Sequence, residues 1–544
     1  MSAELPPLPG NDATDVRRWC ALLLVVCTLT FGATLLVLRE RSFVKNPDEC
    51  AYAEQADSLL RDGTLSVGFV RHFHVAYGPE IDHPEDFYPP GPGVLIAAAW
   101  SVFGRSDAVS ALPSALLACF ALPLLAFALA RRMGASSPFA FVAAISVTFE
   151  RAIRDHAHEA MADLPLTVAA TATLVCALRP GVLAAAGAGL LLALGFWLKP
   201  TALLFVPAMA LALVVAQRAT LRTHALRLMA FGTVFLLVCL PWLLRNHELF
   251  GDPLYSGNKY LTAAANDPAF EYAHIRKVYW ADPAYDPKDL GESMFAYGLT
   301  PVLKRFLHHV YEIVTVHGPT AFGGIFALAM LTLVRRRIAA AAMGAAIAYL
   351  LALSAVFAIF YRYLLPVFPI VVAVNWTFVD GIVRRIGPER FGELVGARFA
   401  SPGRVALLRA AIAAIPGGGE LARDLVGGRE FAPLPDVPMH ESAEWAREHV
   451  PAAATVMVQE ALTFRHVSGH RTVATPFDAP EAFEKVVEHY RVQYLITLPS
   501  GQYSDLALQF AFPYLERYRA QWTRFDPPGK PWTVWIRAGA PPLR

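Results

Sequence analysis

The fold is decided by residues 19–49, which read WCALLLVVCTLTFGATLLVLRERSFVKNPDE. The part from Trp19 to Leu38 is apolar and long enough to cross a bilayer as a helix. It lacks a small-residue cleavage site and follows a polar, Pro-rich start, so we expect a retained anchor and not a cleaved signal peptide. Two acids, Asp48 and Glu49, follow shortly after this predicted span.

The composition also indicates a membrane protein. Of the 544 residues, 55% are hydrophobic and 17% are charged, against roughly a quarter charged in soluble domains. The net charge of +2 comes from 47 basic and 45 acidic residues, so the composition lacks the basic excess of a nucleic-acid-binding protein and we expect no nucleic acid partner. Five of the six cysteines fall in apolar runs, and no CxxC pair occurs, which excludes a disulfide framework and a cysteine metal site.

Apolar runs predict ten membrane spans, each counted where about 20 apolar residues follow one another or neighbouring helices can cover a shorter run. They are residues 19–38, 108–130, 137–150, 162–178, 182–198, 200–216, 226–244, 319–334, 338–360 and 363–383. Arg residues cluster in alternate short loops, at one face only, which by the positive-inside rule predicts a cytoplasmic N-terminus. We therefore expect a multi-pass protein of the cell inner or plasma membrane.

Three regions follow from these spans. Residues 1–385 form a transmembrane domain with long outer loops at 39–107 and 245–318, residues 386–435 are a basic linker or amphipathic segment, and residues 436–544 form a small soluble α/β domain. In that domain we predict strands at Thr455 to Val458, Arg471 to Thr475, Val492 to Ile496 and Trp532 to Ile536, and a helix capped by Asp478. Its side of the membrane stays open: ten spans place it in the cytoplasm, and an eleventh span at Val405 to Ile415 would place it outside.

The first group of residues with chemical potential is Asn46-Pro47-Asp48-Glu49-Cys50-Ala51-Tyr52. Pro47 and Asp48 predict the start of a short helix that ends at Asp62-Gly63, with Asp48 as its N-cap. One interpretation is a capped helix at the membrane interface. The other is that the acids hold a general base where a lipid-borne substrate meets water.

A second group, between the third and fourth spans, holds several ionisable residues. If this segment is one helix, His156, Glu159 and Asp163 share a face. Ionisable groups next to apolar spans usually serve a function, and His with carboxylates suits a divalent cation, although no HExxH spacing occurs. A divalent metal ion held by His156 and Glu159 is therefore one hypothesis, and a plain charged loop is the other; no other cofactor is expected.

A third group is cationic and consists of Lys199, Arg245 and Arg362, each at the outer end of a predicted span. Long basic side chains commonly reach from a span to the interface. These three lie on the same face as the acids, however, and together they could bind a phosphate.

Six motifs in order resemble a known family. They are Asp48-Glu49 with Tyr52, Tyr88-Pro89-Pro90-Gly91, Asp163-Leu164-Pro165, Lys199-Pro200, Pro241-Trp242 to Arg245-Asn246, and Arg362-Tyr363 to Pro366. The order is similar to that of the GT-C membrane glycosyltransferases, in the superfamily of dolichyl-phosphate-mannose protein mannosyltransferases and aminoarabinose transferases.

The resemblance implies an all-α polytopic membrane protein of the GT-C type, with about 10–11 transmembrane helices and a small C-terminal α/β domain. It implies transfer of a sugar from a polyprenyl-phosphate donor to a protein, lipid or glycan acceptor, with inversion, at a site facing the periplasm or exterior. Asp48 would be the catalytic base beside Glu49, with Asp163, or less favourably Glu159, as a second acid. The residues expected to bind substrate are Tyr52, Tyr88, Lys199, Arg245, Asn246, Arg362 and Tyr363.

The chain departs from the family at Phe87-Tyr88, where aminoarabinose transferases carry a Glu-Lys pair. This argues against aminoarabinose as donor and against a metal, and it favours the generic bacterial members. A lipid-sugar flippase without chemistry is the main alternative, but we find no internal repeat and most ionisable residues lie at span ends. A structural subunit of an envelope-assembly complex would leave the outer acids without a role.

Overall fold

The computed structural model describes residues 13–39, 46–258, 260, 275–282, 299–313, 315, 337–356, 361–386, 437–499 and 504–544. The predicted span 319–334, the linker from residue 387 with Val405 to Ile415, and much of the loop 245–318 lie outside these residues. Contacts divide the chain into two units. The first comprises Met1–Glu40, Ala111–Asn246 and Arg305–Arg429, and the second comprises Arg41–Ser110, His247–Lys304 and Glu430–Arg544.

The helices are numbered in chain order. They are α1 Ala13–Arg39, α2 Pro47–Asp62, α3 Gly91–Phe103, α4 Asp107–Ser110, α5 Leu112–Arg132, α6 Ser137–Thr148, α7 Arg151–Ala157, α8 Asp163–Ala177, α9 Val182–Leu198, α10 Phe205–Val215, α11 Leu221–Phe250, α12 Leu299–Glu312, α13 Arg337–Val356, α14 Phe368–Ile386, α15 Val437–His449, α16 Ala461–Ser468, α17 Pro480–His489 and α18 Ser504–Arg517. Helical turns of the 3₁₀ type at Pro200–Leu204 and Tyr361–Val367 lead into α10 and α14.

The strands are β1 Ser66–Val67, β2 Phe69–Val70, β3 His83–Pro84, β4 Thr455–Val458, β5 Arg471–Ala474, β6 Tyr494–Thr497, β7 Trp522–Phe525 and β8 Thr533–Arg537.

Eight of the ten predicted spans lie wholly within the described residues and are largely helical, and a ninth, 338–360, is helical as far as it is described, to Val356. Five described helices are long and apolar enough to cross a membrane: Thr14–Arg39, Leu112–Arg132, Leu221–Phe250, Arg337–Ser354 and Arg362–Arg385. The other four predicted spans are shorter apolar helices of the same bundle: Ser137–Thr148, Asp163–Ala177, Val182–Leu198 and Pro200–Val215. The chain is therefore a multi-pass membrane protein.

Small residues let the helices of the first unit approach closely. A Cβ added at Gly189 of α9 would lie 2.3 Å from the carbonyl oxygen of Phe231 in α11, so only glycine fits there. Close backbone contact of this kind is what holds helices together in a bilayer, where apolar surface alone gives no preference.

The second unit contains a six-stranded sheet in the order β2-β5-β4-β6-β8-β7. Strands β5, β4 and β6 are parallel, and β8 and β7 are added in antiparallel fashion. Apolar side chains cover both faces: Met457 and Val473 pack with α17, and Val456 and Tyr494 pack with α15. A small α/β structure at the C-terminus is therefore confirmed.

The edge strand β2 comes from the segment after the first span. Phe69 pairs with Thr472 and Val70 with Val473, in parallel. Strands of one sheet lie on one side of a membrane, so the C-terminal sheet is on the same side as the segment that follows α1. Two strands on one side of a membrane must be separated by an even number of crossings. The ten-span prediction places nine crossings between β2 and β5, so that count is inconsistent with this strand pairing.

Two boundary predictions in the C-terminal region are corrected. Helix α17 begins at Pro480 with Ala479 as N-cap, and not at Asp478, because the Asp478 carboxylate accepts hydrogen bonds from the N–H groups of Val278 (3.0 Å) and Ala479 (2.8 Å). Strand β6 begins at Tyr494 and not at Val492, whose N–H bonds instead to the Val487 carbonyl.

Candidate active site

The start of α2 differs from the prediction in its cap. Asn46 is the N-cap: its side chain accepts the Asp48 N–H at 3.0 Å, and its own N–H donates to the Glu49 carboxylate at 3.0 Å. Pro47 occupies the first turn, where its missing N–H costs nothing. Asp48 is therefore not the cap. Glu49, predicted as catalytic, is fully buried and closes a capping box.

The Asp48 side chain instead contacts the paired-proline motif. The hydroxyl of Tyr88 donates a short hydrogen bond to Asp48 Oδ1. The ring of Tyr52, one turn along α2, lies 4.9 Å from the ring of Tyr88. Burial, and then the neighbouring Asp48, raise the pKa of Tyr88 well above its ordinary value, so Tyr88 remains a proton donor. The structure thus brings together three residues that the sequence predicted for the site.

A fourth member of this group, Arg71, was not predicted. Its guanidinium lies over the rings of Phe87 (4.3 Å) and Tyr88 (4.5 Å), and its Nη2 is 4.0 Å from Glu85 Oε1. Burial lowers the pKa of Arg71, but the opposite effect of Tyr88, Glu85 and Asp48 together is larger and raises the pKa above its ordinary value. The guanidinium therefore stays charged. The sequence signal was weak: a single Arg among His and aromatic residues in a polar loop.

Glu85 fixes the loop that carries Tyr88. Its Oε1 accepts the N–H groups of Phe87 at 2.8 Å and Tyr88 at 2.9 Å. We call Asp48, Tyr52, Arg71, Glu85 and Tyr88 the loop cluster; all five belong to the second unit.

Next to Phe87 lies a buried histidine pair that sequence reasoning also missed. His72 is 3.0 Å from the Tyr77 hydroxyl, which donates to Asp86 at 2.7 Å. The His74 ring lies against the rings of Tyr260 and Tyr279 at 5.0 and 4.8 Å. Burial lowers the pKa of His72 to about 3 and that of His74 well below its ordinary value, so both are neutral.

In the first unit, Asp163 and Lys199 form a buried ion pair. Lys199 Nζ donates to Asp163 Oδ1 at 2.6 Å, with side-chain exposures of 15% and 3%. Asp163 is the first residue of α8, and Lys199 ends α9. The pair brings together two of the predicted motifs.

Arg362 and Tyr363 belong to the same group. Lys199 Nζ lies 4.3 Å from the centre of the Tyr363 ring, and the Arg362 guanidinium lies 5.6 Å from it. The charge of Arg362 also acts on Asp163. We call Asp163, Lys199, Arg362 and Tyr363 the bundle cluster.

Arg245 and Asn246 lie next to each other in α11. The Arg245 guanidinium donates to Asn246 Oδ1 at 3.0 Å and lies over the Trp242 ring at 4.5 Å. Asn246 is buried and Arg245 is partly exposed.

The predicted continuous helix through His156, Glu159 and Asp163 is wrong. Helix α7 ends at Ala157 and α8 starts at Asp163, so these residues are not on one helical face. His156 Nε2 is 3.9 Å from Glu159, while its Nδ1 is 2.8 Å from the Ala152 carbonyl. Among the residues that the structure describes, no group of three or more metal-ligating side chains could hold an ion. His156 and Glu159 have no third metal-ligating side chain beside them in the described part of the chain, and the metal site stays a prediction.

Residues 82–244 match the family model described as dolichyl-phosphate-mannose-protein mannosyltransferase. No curated protein matches the chain.

Solved structures resemble it over nearly its whole length. The ArnT of Cupriavidus metallidurans bound to undecaprenyl phosphate has a TM-score of 0.58 at 15% identity, covering 96% of this chain and 99% of that one. Its apo form gives 0.57 at 14% identity, covering 97% and 99%. The apo oligosaccharyltransferase of Archaeoglobus fulgidus gives 0.53 at 14% identity, covering 95% of this chain and 74% of that one.

The family match and the shared fold agree with the motif order of the sequence. The chain is a membrane protein with the same fold as ArnT and the archaeal oligosaccharyltransferase, and its residues 82–244 match the family model described as dolichyl-phosphate-mannose-protein mannosyltransferase.

Proposed function

We propose that the protein transfers a sugar from a polyprenyl-phosphate carrier to an acceptor hydroxyl on the extracytoplasmic side, with inversion at the anomeric carbon. The observation that carries the proposal is the setting of Asp48. It lies in the first turn of a capped helix, outside the predicted spans, with a tyrosine hydroxyl bonded to one carboxylate oxygen.

In this reaction Asp48 is the general base. An alcohol is a weak nucleophile until a carboxylate removes its proton, and a positioned base contributes about 100- to 10,000-fold to the rate. The acceptor oxygen then bonds to the anomeric carbon, and the bond from that carbon to the phosphate oxygen breaks. The electron pair leaves with the polyprenyl phosphate. The Tyr88 hydroxyl fixes the orientation of Asp48.

The leaving phosphate gains negative charge, which cations stabilise best in a site without water. We assign Lys199, Arg245 and Arg362 to this role, and the Asp163 carboxylate holds Lys199 in place through their ion pair. The binding of undecaprenyl phosphate by a protein of the same fold supports a polyprenyl-phosphate donor.

The test is Asp48→Asn, with Asp57→Asn on the same helix as a matched control. Asp57 pairs with Arg61 and Arg105, which are both more than half exposed, so its loss leaves the loop cluster intact. We expect Asp48→Asn to lower transfer by at least about 100-fold while donor binding remains. Wild-type transfer by Asp48→Asn would rule out this base.

A further inference from the structure

Helix α16 of the C-terminal region packs against α2, the helix that carries Asp48. Apolar residues of both helices join residues of β1, β2 and β5 in one buried core, against which Tyr88 also packs: Cys50, Ala51, Val67, Phe69, Ala461, Leu462 and Ala474. Cys50 Sγ lies 3.8 Å from the Thr463 hydroxyl. The helix that carries the proposed general base, Asp48, therefore packs against residues more than 400 positions away in the sequence.

One buried ion pair joins the two helices. Arg465 Nε and Nη2 both lie 2.9 Å from Glu54 Oε1, with side-chain exposures of 14% and 10%. Arg465 Nη1 also donates to the Gly469 carbonyl at 2.6 Å, which holds the guanidinium in one orientation. Glu54 is six residues after Asp48, about 9 Å along the helix at 1.5 Å per residue.

The loop backbone is shaped to admit this guanidinium. A Cβ on Gly68 would approach Arg465 Cζ to 2.9 Å, so a larger residue at this position would push the guanidinium out of place. Arg465 thus contacts α2 on one side and the segment leading to β2 on the other. Removing it leaves the Glu54 carboxylate buried without its cation, which is costly.

The C-terminal sheet is also attached to the first loop by contacts away from α2. Strand β2 pairs with β5, and Asp82 forms an ion pair with Arg471 at 2.9 Å that is about half exposed at both side chains. Attachment of the C-terminal region therefore does not depend on Arg465. What Arg465 adds is a fixed position for α2.

We propose that Arg465 is a positioning residue that holds α2, and with it the Asp48 carboxylate, in the geometry needed for transfer. The proposal rests on the function proposed above, because only a catalytic Asp48 makes the position of α2 matter for the rate. It makes the C-terminal region part of the catalytic apparatus. A displacement of about 1 Å in a reacting group can cost about 100-fold in rate.

The experiment compares Arg465→Gln with Arg471→Gln in the full-length protein. The first readout uses variants in which Cys50 is the one remaining cysteine, and it measures the rate of labelling by a membrane-impermeant maleimide. Cys50 is 1% exposed and lies at the α2–α16 contact, so it reports any opening there. We expect Arg465→Gln to label at least about tenfold faster than the parent and Arg471→Gln to label at the parent rate.

The second readout is transfer. We expect Arg465→Gln to lower kcat by about 10- to 100-fold with little change in the donor KM, and Arg465→Lys to recover part of the loss. If Arg465→Gln does not fold, Arg465→Lys carries both readouts, because it keeps the charge and loses the two-nitrogen contact. Parent-like labelling, or wild-type kcat in a folded variant, would overturn the proposal. If the wild-type protein transfers no sugar, the proposed function fails on its own, and the labelling rate still decides whether Arg465 holds α2.

Discussion

The buried pair of Asp163 and Lys199 gives the prediction whose size follows most directly from the structure. Lys199→Met removes the cation and leaves a carboxylate that is 3% exposed at its side chain. Breaking a buried ion pair by removing one partner costs about 3–5 kcal/mol. That is a large share of the roughly 5–15 kcal/mol by which folded proteins are stable, so we expect Lys199→Met to unfold at a clearly lower temperature in detergent.

The double variant Asp163→Asn, Lys199→Met separates stability from function. It has no buried charge at this position, and replacing both members of a buried pair is often close to neutral. We expect its unfolding temperature to return most of the way to that of the wild type. Like Lys199→Met, the double variant should transfer little sugar and have a raised donor KM, because both variants lack the lysine that binds the phosphate.

The assay is thermal unfolding followed by size-exclusion chromatography, together with donor consumption by the same preparations. Recovery of stability with a donor KM that stays raised in both the single and the double variant supports a phosphate-binding Lys199, since Asp163 is itself a predicted site residue and its loss can lower transfer. If the double variant regains both, the pair is structural only and the assignment of Lys199 is wrong.

Three further predictions concern stability. Arg227 is 1% exposed and donates to the carbonyls of Leu213, Ala177 and Arg179 at 2.7, 2.9 and 2.9 Å. Arg227→Met should lower the free energy of unfolding by at least about 2 kcal/mol, and an unchanged unfolding temperature would refute this role. Gly93→Ala brings a Cβ within 2.8 Å of Gln55 and should cost about 1–3 kcal/mol, whereas Gly32→Ala, with nothing within 4 Å, should cost less; equal melts would contradict this. His72, whose pKa burial lowers to about 3, contributes stability that is fully present above its unfolded pKa of about 6.5 and is lost as the pH falls towards 3, at about 1.4 kcal/mol per pH unit. His72→Gln should therefore weaken the pH dependence of the unfolding temperature between pH 6 and pH 4. The same slope in the variant and the wild type would contradict this role of His72.

The sequence predicted the membrane helices well because their signal is local. Trp19 to Leu38 is apolar along its whole length, and a helix of that length is one of the few structures that satisfy the backbone in lipid. A second local signal, the glycine that follows Asp62, correctly predicted the end of α2. Gly63 is the C-cap, and its φ of 68° places it in the left-handed region that favours glycine.

Local reasoning failed where two signals competed for one helix start. Asn46 and Asp48 are both good N-caps, and the sequence interpretation chose Asp48. The structure uses Asn46 because Glu49 can then close the capping box. Asp48 is left to bind Tyr88, whose position 40 residues later no local pattern could reveal.

Contacts between distant segments could not be predicted at all. Strand β2 has two residues and pairs with a strand about 400 residues away, and the ion pair of Glu54 with Arg465 has a similar separation. Hydrophobic periodicity describes which face of an element is buried, but not its partner. Arg71 was missed for the same reason, since its neighbours Glu85 and Tyr88 come 14 and 17 residues later in the chain.

The central claim is sugar transfer at a site that includes Asp48, and the most direct measurement uses purified protein in liposomes with a panel of polyprenyl-phosphate sugars and candidate acceptors. The account predicts that one donor is consumed, that free polyprenyl phosphate and a glycosylated acceptor appear in equal amounts, and that Asp48→Asn slows the formation of both by at least about 100-fold. Movement of an intact lipid-linked sugar across the bilayer, with no polyprenyl phosphate released, would contradict it and indicate a flippase.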